Sequence, residues 1–366
     1  MMMWLNYLNR RFVLSGKLKS LIEESKLEGV IFRVDELEKA MAETRDYDKL
    51  VSGLIRSGKS VHEIIMAVVI SDVRRAANQF ILVQSRSKGK SGYVVFGIRS
   101  EFAWFELSIV DEVRHLWKEI DRKNVIIDIP GSKESTRAIS ILTADAINLK
   151  VSNPVGFKRF HEILLGYVEG LEKRKAERKS LEQIHFLVSF NLRLIDELID
   201  PVLLSIIQQS NNQSVIAIQM LGKSGIMFAA KIRQIYDDVF KSERFAILAA
   251  DGARPANLMW DFSKSPEKDQ NDGLSALMHQ NDTSVILSMN NLSTAIQSPA
   301  RNIQGETSSS TIKWNIFQLE NILGVNFNHL EEQVDEVTLR DFNLPSKQLY
   351  DLIRERIIST ATLHWW

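Results

Sequence analysis

Between Ser60 and Phe240, short apolar runs alternate with longer segments whose apolar positions recur at helical spacing. In "SVHEIIMAVVISDVRRAAN", Val61, Ile64, Ile65 and Val68 share one helical face. "FILVQS" (80–85) follows as an apolar run of strand length. "GYVVFGIRSEFAWFEL" (92–107) reads as a β-hairpin with Arg99 and Ser100 near its turn. Val113, Leu116, Trp117 and Ile120 then form the buried stripe of a helix opened near Ser108 and Asp111. "NVIIDIPGS" (124–132), "DAINLKVS" (145–152), "IHFLVSFN" (184–191) and "SVIAIQM" (214–220) read as further strands. A long helix after "DAINLKVS" carries Phe157, Phe160, Leu164, Val168 and Leu171 on one face. Apolar strands alternating with helices predict an α/β fold, a mostly parallel sheet flanked by helices.

The texture changes after residue 240. Strand-like runs "FAILAA", "SVILSM" and "TIKWNIF" are separated by the polar stretches 263–273 and 298–310, and a helix opened by Pro345 closes the chain. This divides the chain into an N-terminal helical extension (1–46), an α/β domain (47–240) and a smaller appended α+β region (241–366). "GVIFRV" (29–34) is an alternative first strand of the sheet.

Composition narrows the function classes. The 366 residues suffice for two domains with a large core, and 45% hydrophobic with 25% charged residues is ordinary for a globular protein. Basic and acidic residues balance at 46 each, so no global pull toward nucleic acid exists. The absence of Cys excludes disulfides, thiol catalysis and Cys-based zinc sites, and the seven His contain no H-x-x-x-H pair. No apolar run reaches the ~18 residues of a membrane span. The first acidic residue is Glu23, after Arg10, Arg11, Lys17 and Lys19. The cytoplasm is the expected compartment; a mitochondrial presequence and a basic helix on a surface are the alternatives.

One stretch matches a motif letter for letter. "GLIRSGKS", Gly53 to Ser60, is G-x-x-x-x-G-K-[ST]. In such a loop backbone N–H groups and a helix N-terminus cradle phosphates, a Lys reaches the terminal phosphates and a hydroxyl reaches Mg²⁺. Lys59 and Ser60 hold those places, and Asp128, at the end of "VIIDIPG", offers the second acidic group. The same letters also read as punctuation between two helices. Leu50 and Leu54 then face a core, Gly58 caps one helix, and Ser60 with Glu63 opens the next through an S-x-x-E box.

"KLVSGLIRSGKSVHEII", "FILVQSRSK", "RKNVIIDIPGS", "LTADAINLKVS" and "FLVSFNLRLID" follow in an order that resembles the ParA/MinD-type P-loop ATPases, over about residues 47–240. Leu54, Ile55 and Arg56 stand where that family has Lys-Gly-Gly, so the phosphate loop is a degenerate one. The resemblance implies a P-loop NTPase-like domain that takes ATP and Mg²⁺. It assigns Lys59 and Asp128 to catalysis, Ser60 and Asp128 to the metal, and Gly53, Gly58, Lys59, Ser60 and Asn191 to the nucleotide. It further implies weak or absent hydrolysis, and a nucleotide-dependent homodimer that engages DNA or a protein partner. The competing expectation is a non-catalytic structural or adaptor subunit of a larger protein or nucleoprotein assembly.

Two basic segments could touch phosphates: "SRSKGKSG" (85–92), with Arg86, Lys88 and Lys90, and "EKRKAERK" (172–179). Each is more often a solvated surface. Asp128 to Gly131 also spells a GTPase-like D-x-x-G, but no [NT]-K-x-D follows. Trp365 and Trp366 are candidates for docking to a partner.

Overall fold

Eight short strands pair in parallel, each with its chain neighbour: β1 (Met2–Leu5), β2 (Leu27–Ile31), β3 (Tyr93–Gly97), β4 (Val125–Pro130), β5 (Leu149–Ser152), β6 (Phe186–Phe190), β7 (Asn257–Asp261) and β8 (Thr283–Leu287). The last pairs with the first, Met2 opposite Ser284 and Leu5 opposite Leu287, so the sheet closes on itself. The result is a (β/α)₈ barrel. The computed structural model describes residues 2–24, 27–209, 212–264, 283–297, 309–327, 329–334 and 347–362.

Closure explains why the strands read as apolar throughout. Side chains alternate between helix-facing and interior positions. In β4, Val125, Ile127 and Ile129 join the large core under the helices, while Ile126 joins a second cluster inside the barrel. That inner cluster also holds Trp4, Ile31, Tyr93, Val95, Leu187, Met259 and Ile286. The helices that cover the barrel begin with α1 (Arg10–Leu14), α2 (Lys17–Glu24), α3 (Val34–Glu43), α4 (Asp48–Arg56), α5 (Val61–Arg86) and α6 (Glu106–Ile120). They continue with α7 (Lys133–Ala144), α8 (Phe157–Ala176), α9 (Leu192–Gln208), α10 (Asn212–Met220), α11 (Ser224–Phe240) and α12 (Glu243–Ala250). Among the described residues, further helices include Met289–Gln297, Ser309–Phe317 and Lys347–Thr362.

The expected P-loop NTPase-like sheet with an appended α+β region is therefore corrected to one closed barrel. The segments 1–46, 47–240 and 241–366 all supply strands to it: β1 and β2, then β3 to β6, then β7 and β8. "GVIFRV" is the second strand, and "MMWL" the first. "FILVQS" is the end of α5, where Phe80 is buried but Ile81 and Leu82 are 48% and 65% exposed, a helical rather than a stranded pattern. "SVIAIQM" is α10, burying Ser214, Ala217 and Met220 at every third position. "FAILAA" and "TIKWNIF" are helical as well. The expected hairpin yields one strand, β3, after which the chain enters α6.

The basic N-terminal segment is built into the fold. Arg10 donates to Asp72 of α5 through Nε at 2.8 Å and Nη2 at 2.7 Å, and Tyr47 donates to the other carboxylate oxygen at 2.8 Å. Most of the polar stretches 263–273 and 298–310, and Trp365 and Trp366, lie outside the described residues. Among the described residues no single helix is long and apolar enough to cross a membrane.

Candidate active site

"GLIRSGKS" runs from within α4 to the cap of α5. Gly58 adopts φ +71° between them. Ser60 Oγ accepts from the Glu63 backbone N–H at 3.3 Å, and Glu63 Oε2 accepts from the Ser60 N–H at 2.9 Å, a complete capping box. Lys59 Nζ pairs with Glu63 Oε1 at 2.7 Å. The element before Gly58 is a helix, whereas a phosphate loop follows a strand. Gly53 lies in α4. Asn191 caps α9, accepting from the Leu194 N–H at 3.2 Å. Arg86 ends α5, and the carbonyls of Lys88 and Gly89 accept from Arg254 at 2.9 and 2.8 Å, which fixes the basic loop before β3 that ends with Lys90.

Asp128 has a different set of neighbours. It lies on the interior face of β4 toward the C-terminal ends of the strands, two residues beyond Ile126. Lys150, its register partner on β5, places Nζ 2.9 Å from Asp128 Oδ2. Ser152 donates to Asp128 Oδ1 and Oδ2 at 2.8 and 2.9 Å, and Lys150 Nζ also donates to Ser152 Oγ. Ser189 on β6 extends the chain of hydroxyls, 3.5 Å from Ser152. The Lys150 side chain is 4% exposed and that of Asp128 11%, so the pair is nearly dry.

The backbone leaves room beside this pair. Gly97 of β3 sits in register with Asp128 and has no side chain to fill the interior there. Asp261 ends β7 on the same interior parity as Met259. Burial pushes the Asp128 carboxyl above its ordinary range, Lys150 and Ser152 pull it part of the way back, and the Asp261 charge adds an upward push. A carboxyl with raised proton affinity touching an ammonium can take its proton, leaving two neutral groups in a low-dielectric site. The arrangement places a buried primary amine in contact with a carboxyl whose proton affinity is raised, the pairing that amine nucleophiles use.

Around it the rim is polar. Asn6, just after β1, donates to Ser263 Oγ at 2.8 Å, and Asp261 Oδ1 accepts from the Ser263 N–H at 2.8 Å. Arg33 pairs with Asp35, and Arg99 with Glu101 at 2.7 Å and with Glu112 at 3.5 Å. Arg159 pairs with Glu331, fastening the segment 329–334 to the start of α8 beside Gly156.

Sequence reasoning singled out Asp128 and passed over Lys150. The signal was present: Asn148, Lys150 and Ser152 alternate with Leu149 and Val151, so one face of that strand is polar although both are buried. Among the described residues no cluster of His, Asp or Glu suited to a metal ion occurs.

Comparison with known proteins agrees with this geometry. The family model described as transaldolase/fructose-6-phosphate aldolase matches residues 23–152, which include β2 to β5 and both Asp128 and Lys150. A transaldolase of Arthrobacter sp. (strain FB24) is 30% identical over 257 residues, 70% of this chain and 68% of that protein. A transaldolase of Thiobacillus denitrificans is 30% identical over 270 residues, 74% of each. One from Renibacterium salmoninarum is 27% identical over 367 residues, 98% of this chain and 95% of that protein. These matches and the closed barrel overturn the ParA/MinD-type reading, and with it the nucleotide-dependent dimer on DNA or a protein partner and the non-catalytic adaptor. The expectation of ATP and Mg²⁺ rested on that reading.

Proposed function

This chain belongs to the transaldolase family, and on that premise we propose that it makes and breaks carbon–carbon bonds beside a ketone through a Schiff base on Lys150. The observation that carries the reading is the buried Lys150 amine, 2.9 Å from Asp128 at the C-terminal mouth of the barrel, the face on which such barrels place their chemistry.

The steps balance with these groups alone. Asp128 takes a proton from the Lys150 ammonium, and the freed amine adds to the ketone carbonyl. Asp128 returns the proton as the hydroxyl leaves as water, giving an iminium. The bond between the α and β carbons then breaks. Its electrons flow toward the iminium nitrogen, Asp128 takes the β-hydroxyl proton, and the β carbon departs as an aldehyde. The enamine left on Lys150 adds to an aldehyde acceptor, Asp128 protonates the new alkoxide, and water releases the product. Ser152 holds the carboxylate in place throughout by its two hydrogen bonds.

The name of the matching family directs the test to fructose 6-phosphate. Incubation with this ketose and borohydride should add a reduced three-carbon fragment to Lys150, seen by peptide mass mapping. Trapping at another lysine, or none, would sink the assignment. The cytoplasm is the compartment this reading favours; the basic N-terminal segment itself forms β1, α1 and α2.

A further inference from the structure

Four neighbouring strands reach one level at the mouth. Lys150 on β5 stands opposite Asp128 on β4, and Asp128 stands opposite Gly97 on β3. Ile31 on β2 pairs with Val95, two residues before Gly97. The chain stays extended through Arg33 (φ −127°, ψ 134°), so Arg33 continues the interior parity of Ile31 and reaches the level of Gly97. Arg33 is thus three strand spacings from Lys150, about 14 Å along the sheet. Between Arg33 and Asp128, Gly97 puts no side chain in the way.

The Arg33 guanidinium is already engaged. Nε donates to Asp35 Oδ1 at 2.8 Å and Nη2 to Oδ2 at 2.5 Å, the two-bond fork with which arginine grips a carboxylate or a phosphate. Asp35 lies in the first turn of α3, where its Oδ1 also accepts from the Glu36 N–H at 3.1 Å. Asp261 comes from across the barrel, on β7, and its charge bears on both Arg33 and Asp128. This stretch of the mouth therefore sets Asp35, Asp128 and Asp261 against Arg33 and Lys150. One negative charge is left over whether Lys150 or Asp128 holds the proton they share. Glu36 and Lys39 offset each other at 3.0 Å. Lys133 and Lys264 are exposed, where salt screens their charge.

A phosphate at the far end of a substrate held on Lys150 has to displace Asp35 from Arg33 and bring its charge into a region already negative. A hydroxyl there meets neither cost, and it can donate to a carboxylate. We propose that Asp35 is the specificity-determining residue of this site: by filling the Arg33 fork it makes the enzyme favour ketoses that end in a free hydroxyl over ketose phosphates. The proposal rests on the Schiff-base reading of Lys150. Fructose 6-phosphate remains a substrate, and fructose becomes the better one.

Both sugars leave the same three-carbon fragment on Lys150, so the full chain can be compared on the two. Counted per open-chain ketone, wild type should favour fructose in kcat/KM by about tenfold or more. Asp35→Asn keeps the shape and removes the charge. It should move the ratio about tenfold toward fructose 6-phosphate, and Arg33→Ala added to it should cancel that gain. A ratio measured within one preparation does not depend on the fraction folded. Wild type that handles both sugars equally, or favours the phosphate, overturns the proposal, while trapping at Lys150 still upholds the Schiff base. A ratio unmoved by Asp35→Asn also overturns it, as does a gain that survives the loss of Arg33. No borohydride-trapped fragment at Lys150 from either sugar overturns the proposal together with the reading beneath it.

Discussion

The barrel holds a buried carboxyl at each end of its interior, and the two have different partners. At the mouth Asp128 touches an amine and a hydroxyl. At the floor Glu28 Oε2 accepts from the Trp4 indole at 3.1 Å and the Ser284 hydroxyl at 3.0 Å, and Oε1 accepts from Ser91 at 3.4 Å. Asn257 closes that network by donating to Ser284 at 3.0 Å. Burial pushes both carboxyls upward. Only the mouth pairs its carboxyl with a group that becomes a nucleophile on losing a proton. The floor ties its carboxyl to donors that hold strands β1, β2 and β8 in register. Burial and raised proton affinity do not mark a reactive site by themselves; the partner decides.

That contrast can be broken in order of expected effect. Lys150→Met should lower kcat by about 10⁴-fold or more and abolish borohydride trapping, with the thermal transition retained. Asp128→Asn should cost about 10²- to 10⁴-fold in kcat. With wild type, activity should fall as pH drops through the raised Asp128 value, because the carboxyl must be ionised to take the first proton. The Asn variant should lose that acid limb from its pH profile.

Changes at the floor should act on stability alone. Glu28→Ala leaves the Trp4 indole and Ser284 hydroxyl without their acceptor and should cost about 2–3 kcal/mol in denaturant unfolding, with kcat unchanged in the folded fraction. The folded state holds the Glu28 proton more tightly than the unfolded chain does. Its contribution to stability should therefore fall as pH rises through the raised value and level off above it. Glu28→Gln should flatten that slope in melts run across pH. Smallest of all, Ser60→Ala removes the α5 cap and should cost about 1 kcal/mol with no change in turnover. A large activity loss there would revive a role for the loop in chemistry.

Much of the barrel was legible and its closure was not. "NVIIDIPGS", "DAINLKVS", "IHFLVSFN" and "SVILSM" each contain a strand. Runs such as "FILVQS" and "SVIAIQM" misled because six or seven mostly apolar residues show no clear period of their own; the neighbours on the helix decide. "DAINLKVS" begins late as a strand because Asp145 caps α7 and Ala146 turns through φ +60° before the chain extends. The phosphate-loop letters arose where a helix-ending Gly58 meets a capping Ser60, a junction whose chemistry is that of helix ends. Asp128 was visible as a polar residue ending an apolar strand. Its meaning was hidden because Lys150 is its neighbour only once β4 and β5 pair.

The pairing of Met2 with Ser284 has a consequence in time. The barrel's first strand in chain order has one of its two permanent neighbours more than three-quarters of the 366 residues away. Until β8 emerges, β1 and β7 each expose an unpaired edge and the eight-stranded ring stays open. Such a nascent chain must be shielded from pairing with others, and the final closure, a contact of very long sequence separation, is a slow step of folding. A chain cut at residue 240 would lack β7 and β8 and keep its edges open, so it should aggregate rather than persist as a smaller domain.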